Sequence, residues 1–510
     1  MRIEPTTPQT ILQLKKRQPN WVQRFKNFAL VEKLNNPVGI GLLVLLAVIV
    51  AVGTAKFGFV FGGLVVVAVV GLPALCAVVG YPQFGMVVLL VLAYGLFLLG
   101  RLGIPGPMGV VADLLQAALM LGTLVSLRRH NDWELLKGPV STMILVWIGY
   151  NLLQIANPSA VSRLAWVYTV RTVAIVLLSY FVFLYNIRSI KFVRLIFKMW
   201  LGMSFLAALY AFKQEFIGFS AAEETWLHSD PEITGLLFIG GHWRKFSIFS
   251  DPVAFAYNIN MAAIFCIALI AGKLPMWKKI VLGIFAATFL VSMLFSGTRA
   301  ANVLVPVAVF LFAIINYNRK VLIFSCIGAV GLLILINVPS GNPNIQRFQT
   351  AFRPNEDPSY KLRKFNQERI KPYIYKHPIG FGLGATGGWG KRFGDGSVVS
   401  NFQPDSGYIR VAVELGPIGL IIFCTLMFTI LRTGINNYYR IKDPELKMYT
   451  MAVLLIVFAY NIANFPQEAL VQFPSNVYFS LDVALLTVLY RLDKQKQAQL
   501  AELNKRLTLT

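Results

Sequence analysis

Three arginines sit where arginine is expensive. Arg244, Arg299 and Arg410 each lie at the margin of a long apolar run, and Arg299 has apolar sequence on both sides in Phe295-Ser296-Gly297-Thr298-Arg299-Ala300-Ala301. A guanidinium at membrane depth costs at least a few kcal/mol unless it is solvated or paired. One such residue is explained by snorkelling to the interface. Three at one face, beside a basic loop, point instead to an anion. The guanidinium fork matches phosphate oxygens and keeps its charge at any physiological pH. A polyprenyl pyrophosphate carries its phosphates at this depth, with its tail in the bilayer. Arg171 lies deeper within an apolar run and could equally pair inside a helix bundle.

A polar segment over 338–405 follows the same logic. Between Arg347 and Arg392 it holds ten Lys and Arg, including Arg353, Arg363, Lys364, Arg369 and Lys371, against Glu356, Asp357, Glu368 and Asp395. The spacing within 359–376 fits an amphipathic helix, which a solvated face alone would also explain. General-base chemistry needs a carboxylate or imidazole within hydrogen-bond reach of an acceptor hydroxyl. The candidates are Asp405, Glu414, His377, His242, His228, Asp251, Glu223 and Glu224. Asp405 opens an apolar run and also suits a helix start. Glu414 lies about two turns further in, on a different face, where a carboxylate pairs with Arg or Lys more often than it does chemistry.

His377-Pro378-Ile379-Gly380-Phe381-Gly382-Leu383-Gly384 has only a superficial likeness to a dinucleotide fingerprint, lacking the preceding strand and the acid that motif requires. Its glycines suit a close backbone approach or a tight turn. A P-loop is absent. Cys76, Cys266, Cys326 and Cys424 all fall in apolar runs, far apart, so neither a disulfide framework nor a zinc site is expected.

The elements that must position these residues are membrane helices. Of 510 residues 56% are hydrophobic and only 14% charged, with a mean hydropathy of +0.63. A soluble domain is nearer a quarter charged. Runs of spanning length fall at 37–54, 57–80, 84–100, 108–127, 139–155, 164–185, 192–214, 251–271, 277–295, 299–316, 321–337, 406–431, 447–465 and 473–491, about fourteen in all. No cleavable signal peptide is expected: the first 36 residues are polar and basic, and the first apolar run is too long. With that segment inside, every predicted inner turn but the one at 81–83 is basic, carrying among others Arg128, Arg129, Arg188, Lys191, Lys278, Lys279, Arg319, Arg432 and Arg440, as the positive-inside rule asks. The net charge of +24 is then directed mostly at anionic lipid rather than nucleic acid. The expected order is a cytoplasmic basic segment (1–36), helices with an outer loop near 215–250 (37–337), a large outer loop (338–405), further helices (406–491) and a cytoplasmic tail (492–510).

Four pieces together resemble the O-antigen ligase and Wzy-type polymerase superfamily of bacterial membrane glycosyltransferases. Arg244-Lys245-Phe246-Ser247-Ile248-Phe249-Ser250-Asp251-Pro252 resembles its arginine segment, and Ser296-Gly297-Thr298-Arg299-Ala300 its "S-x-S-R" helix start. The glycine segment from His377 to Gly384 resembles "N-P-hydrophobic-G-x-G-x-G". Asp405-Ser406-Gly407-Tyr408 through Glu414-Leu415-Gly416-Pro417-Ile418-Gly419 resembles "H-N-x-Y-L…E-x-G-x-x-G". The match covers about 240–430.

The resemblance implies an all-α, GT-C-like bundle in the bacterial inner membrane, multi-pass, with both termini cytoplasmic and a periplasmic site. It implies glycan transfer from undecaprenyl pyrophosphate to a glycan acceptor, with no nucleotide sugar, cofactor or metal. By the resemblance Arg244 and Arg299 would hold the pyrophosphate; Arg410 joins them from its place at the margin of an apolar run, and Asp405 and Glu414 are the catalytic candidates. His377, Gly380, Gly382, Gly384 and Tyr408 would be loop contacts. Asp405 stands where the ligases carry the His proposed as base. This favours a polymerase of lipid-linked repeat units, working among membrane lipids with a flippase and a chain-length regulator. A ligase, or a flippase or transporter of lipid-linked glycan, is the alternative.

Overall fold

The computed structural model describes residues 37–101, 108–239, 241–317, 319–339, 341, 346, 348–349, 352 and 358–507. The basic segment 1–36 and Arg347, Arg353, Glu356 and Asp357 lie outside the described residues.

The chain divides into two units, Met1–Ala77 and Val78–Thr510. The helix α1 (Pro37–Gly80) provides the described part of the first. It runs through the two spans predicted at 37–54 and 57–80. Nothing between them stops a helix: there is no Pro there, and Thr54 Oγ1 satisfies itself on the Val50 carbonyl at 2.7 Å. Its 44 residues make a rod of about 66 Å.

The second unit is a helical bundle. In chain order its helices are α2 (Pro82–Arg101), α3 (Met108–His130), α4 (Pro139–Leu153), α5 (Arg163–Val173), α6 (Ser179–Asn186), α7 (Ile190–Phe216), α8 (Ala221–Leu227), α9 (Pro231–Leu237), α10 (Pro252–Ile270), α11 (Met276–Leu294), α12 (Leu304–Ile315), α13 (Arg319–Asn337), α14 (Pro358–Lys376), α15 (Gly387–Phe393), α16 (Gly407–Glu414), α17 (Gly416–Arg440), α18 (Pro444–Ala463) and α19 (Ser475–Leu507). Among the described residues the only strands form a two-stranded antiparallel hairpin, β1 (Phe238–Ile239) with β2 (His242–Trp243).

The protein is thus an all-α polytopic membrane protein. Nine helices of the described residues are long and apolar enough to cross a membrane, with Arg299–Ile315 and Cys326–Asn337 among the shorter apolar ones. Among the described residues, three of the expected runs take a different local form. The run 299–316 opens with a 3-10 turn over Arg299–Val303, leaving α12 only 12 residues. The run 406–431 is broken at Leu415-Gly416 into α16 and α17. The last helix continues well past the apolar run, to Leu507.

α10 and α18 form the centre of the bundle, with 83% and 72% of their apolar windows buried. Phe255, Tyr257, Met261 and Phe265 of α10 and Val453, Ile456 and Val457 of α18 are completely enclosed. Such all-round apolar helices have no solvent face to present. Arg171, at membrane depth, pairs with Asp113 of α3 at 2.7 Å, which solvates its charge within the bundle.

Candidate functional site

The segment leading into α10 is held from three sides. Arg101, at the end of α2, donates through Nη1 to the Ser247 carbonyl at 3.0 Å and lies over the Phe246 ring at 4.2 Å. Gln214 of α7 accepts the Ser247 N–H at 2.8 Å, and Ser247 Oγ donates to the Ala207 carbonyl at 2.6 Å. These bonds aim Arg244 at the turn between α11 and α12. Its Nε donates to the Ser296 carbonyl at 2.8 Å and its Nη2 to Thr298 Oγ1 at 3.1 Å. Thr298 Oγ1 in turn donates to the Pro252 carbonyl at 3.2 Å. Gly297, with φ +59°, makes the turn that brings Arg299 out at the head of the 3-10 segment. On the far side of that segment, Asn260 of α10 donates to the Ala301 carbonyl at 2.7 Å.

The helix expected over 359–376 exists as α14. Its apolar residues Ile370 and Ile374 pack with Val413, Ile409 and Phe381 in a small separate core. Tyr360, Arg363, Lys364, Gln367, Glu368 and Lys371 recur at three- and four-residue spacing and so share a face. That face lines a cavity of about 710 Å³ together with Arg244, Thr298, Arg299, Ile462 and Gln467. Five cationic side chains surround this space, with Glu368 as the carboxylate among the residues lining it. Val253, Val303 and Leu304 are among the apolar residues that complete the lining.

Arg410 is placed differently. It does not line this cavity. Its Nε meets Glu414 Oε1 at 3.2 Å and its Nη1 meets Glu468 Oε2 at 2.6 Å, with the arginine side chain only 14% exposed and Glu414 1%. The spacing of four within α16 makes the first contact local. Glu468, in the turn between α18 and α19, had no signal of its own in the sequence. Burial pushes its carboxyl up, Arg410 opposes this, and the charges of Glu414 and Asp405 add to the rise.

Glu414 also accepts from Thr386 Oγ1 at 2.7 Å. It thereby ties α16 to the end of the glycine segment. That segment is a strap. Phe381 N and Gly382 N donate to the carbonyls of Val413 and Glu414 at 3.1 and 2.9 Å, and Val161 N donates to the Phe381 carbonyl at 2.9 Å. Gly380 and Gly416 face each other across this crossing, at φ +77° and +70°. A Cβ on Gly380 would overlap the Glu414 carbonyl, and one on Gly416 the Pro378 carbonyl. Gly382 and Gly384 are likewise appressed to Ala160 and Ala165. The backbone leaves no room for a phosphate here, so these glycines serve packing. Gly416→Ala is expected to strain the crossing by about 1–3 kcal/mol from φ alone, with the overlap adding to it. A lowered unfolding midpoint of the purified protein in nanodiscs, followed by tryptophan fluorescence, checks this.

Asp405 is half-buried, one residue before the Ser406 N-cap of α16, and is not among the residues lining the cavity. Tyr408 donates to Asn461 of α18 and packs edge-on against Phe423. Asp251 caps α10, accepting from Val253 N and Ala254 N at 2.8 and 3.0 Å. Glu223 closes the capping box of α8 with Ser220. His228 bonds the Glu224 carbonyl of its own helix, and His242 sits 3.4 Å from Glu215. His377, on the other side of α14 from the cationic face, bonds the Tyr373 carbonyl at 3.1 Å. No group of three or more His, Cys, Asp or Glu among the described residues is arranged to hold a metal.

These features define a class: a polytopic helical membrane protein with a cationic cavity at the loop end of its bundle, walled by an amphipathic helix from a long insertion. Residues 283–424 match the family model Wzy_C, described as O-antigen ligase, and the match supports the O-antigen ligase and polymerase superfamily. The matched stretch runs from within α11 into α17, and so contains Arg299, α14, the strap and Asp405 to Glu414. Arg244 precedes it. No curated protein matches the chain.

Proposed function

We propose that this protein is a membrane glycosyltransferase that polymerises glycan repeat units carried on undecaprenyl pyrophosphate, at the periplasmic face of a bacterial inner membrane. The observation that carries the reading is the cavity. Arg244, Arg299, Arg363, Lys364 and Lys371 line a space that is also lined by apolar side chains such as Val253, Val303 and Leu304. This combination suits a diphosphate joined to a lipid.

In the proposed reaction the acceptor sugar hydroxyl of one unit attacks the anomeric carbon of another glycan. A new glycosidic bond forms as the bond to the carrier diphosphate breaks. The proton goes to a carboxylate and the carrier leaves as its diphosphate. The arginines stabilise the charge that develops on that leaving group. Two carboxylates suit the base. Asp405 occupies the position where the related ligases carry His, and Glu368 lines the cavity. Glu414, enclosed and paired with Arg410, positions the strap instead. Separate Asp405→Asn and Glu368→Gln variants assign the role. The base variant is expected to lose about 10²–10⁴-fold in transfer rate, the usual contribution of a general base. The other is expected to stay near wild type. Full activity in both would remove a carboxylate base from the scheme.

A ligase joining the same donor to lipid A core or to a protein is the second reading, favoured by the description of the matched family. Deletion separates the two. Loss of a polymerase leaves single repeat units attached to the acceptor, whereas loss of a ligase strands long polymer on the carrier. As a polymerase the protein would act downstream of a flippase and beside a chain-length regulator.

A further inference from the structure

A second cleft, of about 540 Å³, lies against the end of α14, lined by Ser159, Ala160 and Val161 before α5, by Tyr373, His377 and Phe381, and by Asp395 to Val399. It is one helix away from the cationic cavity: Ile374 lines the first space and its neighbour Tyr373 the second. The lining residues of the two differ in kind. Among the described residues that line the second there is no Lys or Arg.

Three of its lining residues, Tyr373, His377 and Phe381, carry aromatic rings. Tyr373 lies in the last turn of α14, and His377 directly follows the end of that helix. The His377 ring lies 4.0 Å from the Phe381 ring, centroid to centroid, and Tyr373 lies 6.4 Å from it. The His377 Nδ1–H is used on the Tyr373 carbonyl, which leaves Nε2 as the accepting nitrogen of the neutral ring. The rim is a fixed carboxylate. Asp395 Oδ1 accepts from Ser400 Oγ at 2.6 Å and from Ser397 N at 3.0 Å, and the two serine hydroxyls bond each other at 3.0 Å. These bonds, the one from Ser400 first, hold the Asp395 carboxyl down at about 2. It is therefore charged at every physiological pH. Both of these bonds fall on Oδ1, which leaves Oδ2 to accept from a ligand.

We propose that this cleft is a saccharide subsite that holds an uncharged stretch of the glycan while the diphosphate occupies the cationic cavity. The C–H faces of pyranose rings stack on aromatic rings, and vicinal hydroxyls donate to an oriented carboxylate in charge-assisted bonds. A phosphate is disfavoured, because it would meet Asp395 with no cation in the lining to offset it. The assignment rests on the glycan-transfer reading, but its test does not depend on turnover.

The probe is the oligosaccharide released by mild acid from the lipid-linked pool of the source cells, and the readout is saturation-transfer NMR with the whole protein in nanodiscs. The wild type is expected to transfer saturation to the sugar protons. Tyr373→Ala with Asp395→Asn is expected to weaken binding at least about tenfold, a factor equal to 1.4 kcal/mol. Ser159→Trp, which narrows the cleft from the opposite wall, should do the same without altering α14. Arg299→Ala should bind like wild type. Thermal unfolding of each variant at the wild-type midpoint shows that the fold is kept. Absence of transfer to the wild type overturns the proposal, as does binding that survives both cleft changes or is lost with Arg299→Ala. Binding by a wild type that forms no polymer from the lipid-linked donor leaves the subsite standing and removes the polymerase.

Discussion

Arg410→Ala is expected to destabilise the protein by about 3–5 kcal/mol, the usual result of removing one partner of a buried ion pair. Arg410 bridges Glu414 and Glu468, so its loss leaves two carboxylates together in a poorly hydrated place. Glu468→Gln in the same background should restore part of the loss, since one of the two charges is then gone. The effect should also depend on pH. Burial already raises the Glu468 carboxyl above its ordinary range, and loss of the cation raises it further. A carboxyl whose folded value exceeds its unfolded value destabilises the fold as pH rises through that window. Hence the variant should be furthest below wild type at neutral pH and recover towards it as pH falls. Unfolding midpoints of wild type, Arg410→Ala and the double variant across pH 5 to 8 test this. A pH-independent deficit would mean that lost packing, not orphaned charge, is the cause.

Arg299→Ala and Arg244→Ala are expected each to reduce transfer by about 10²–10³-fold, the loss typical of removing one donor to a developing oxyanion. Arg244 laces two segments together through Ser296 and Thr298, so its removal is expected to lower the unfolding midpoint as well. Lysine at either position keeps the charge but loses the fork, and should recover only part of the activity. Chain length of the glycan in a deletion strain carrying each variant gives the first reading. Rates on a lipid-linked substrate with purified protein give the second.

The arrangement of cations was partly legible in the sequence. Arg244 and Arg299 stood out because an arginine beside an apolar run needs a reason. The α14 charges stood out as a run, and their helical spacing was readable. That this face and the two arginines line one cavity was not readable, because it depends on α10, the 3-10 turn at Arg299 and the 465–467 turn meeting in space. Arg410 shows the opposite case. Its position matched that of the other two, yet Glu414 lay one turn away in the same helix, and Glu468 lay in a turn with no pattern to mark it. The glycines of the strap were legible as close-packing positions, but the surface they meet, α16 and the start of α17, was not.

The breaks in the helices were missed for a physical reason. A hydropathy window averages over single residues, whereas Gly416 at positive φ and the 3-10 turn after Thr298 redirect the chain within one residue or one turn. The opposite error arose at α1, where two apolar runs were read from a stretch that carries no helix stop between them.

The measurement that bears most directly on the account uses the purified protein in nanodiscs with an undecaprenyl-pyrophosphate-linked repeat unit as sole substrate and no nucleotide sugar, metal or ion gradient. Expected are elongated glycan on the carrier, release of free carrier diphosphate in equal amount, and loss of both in the folded Arg299→Ala protein. Unaltered elongation by the folded Arg299→Ala protein would contradict the role given to the cationic cavity, and substrate left intact by the wild type would contradict the polymerase.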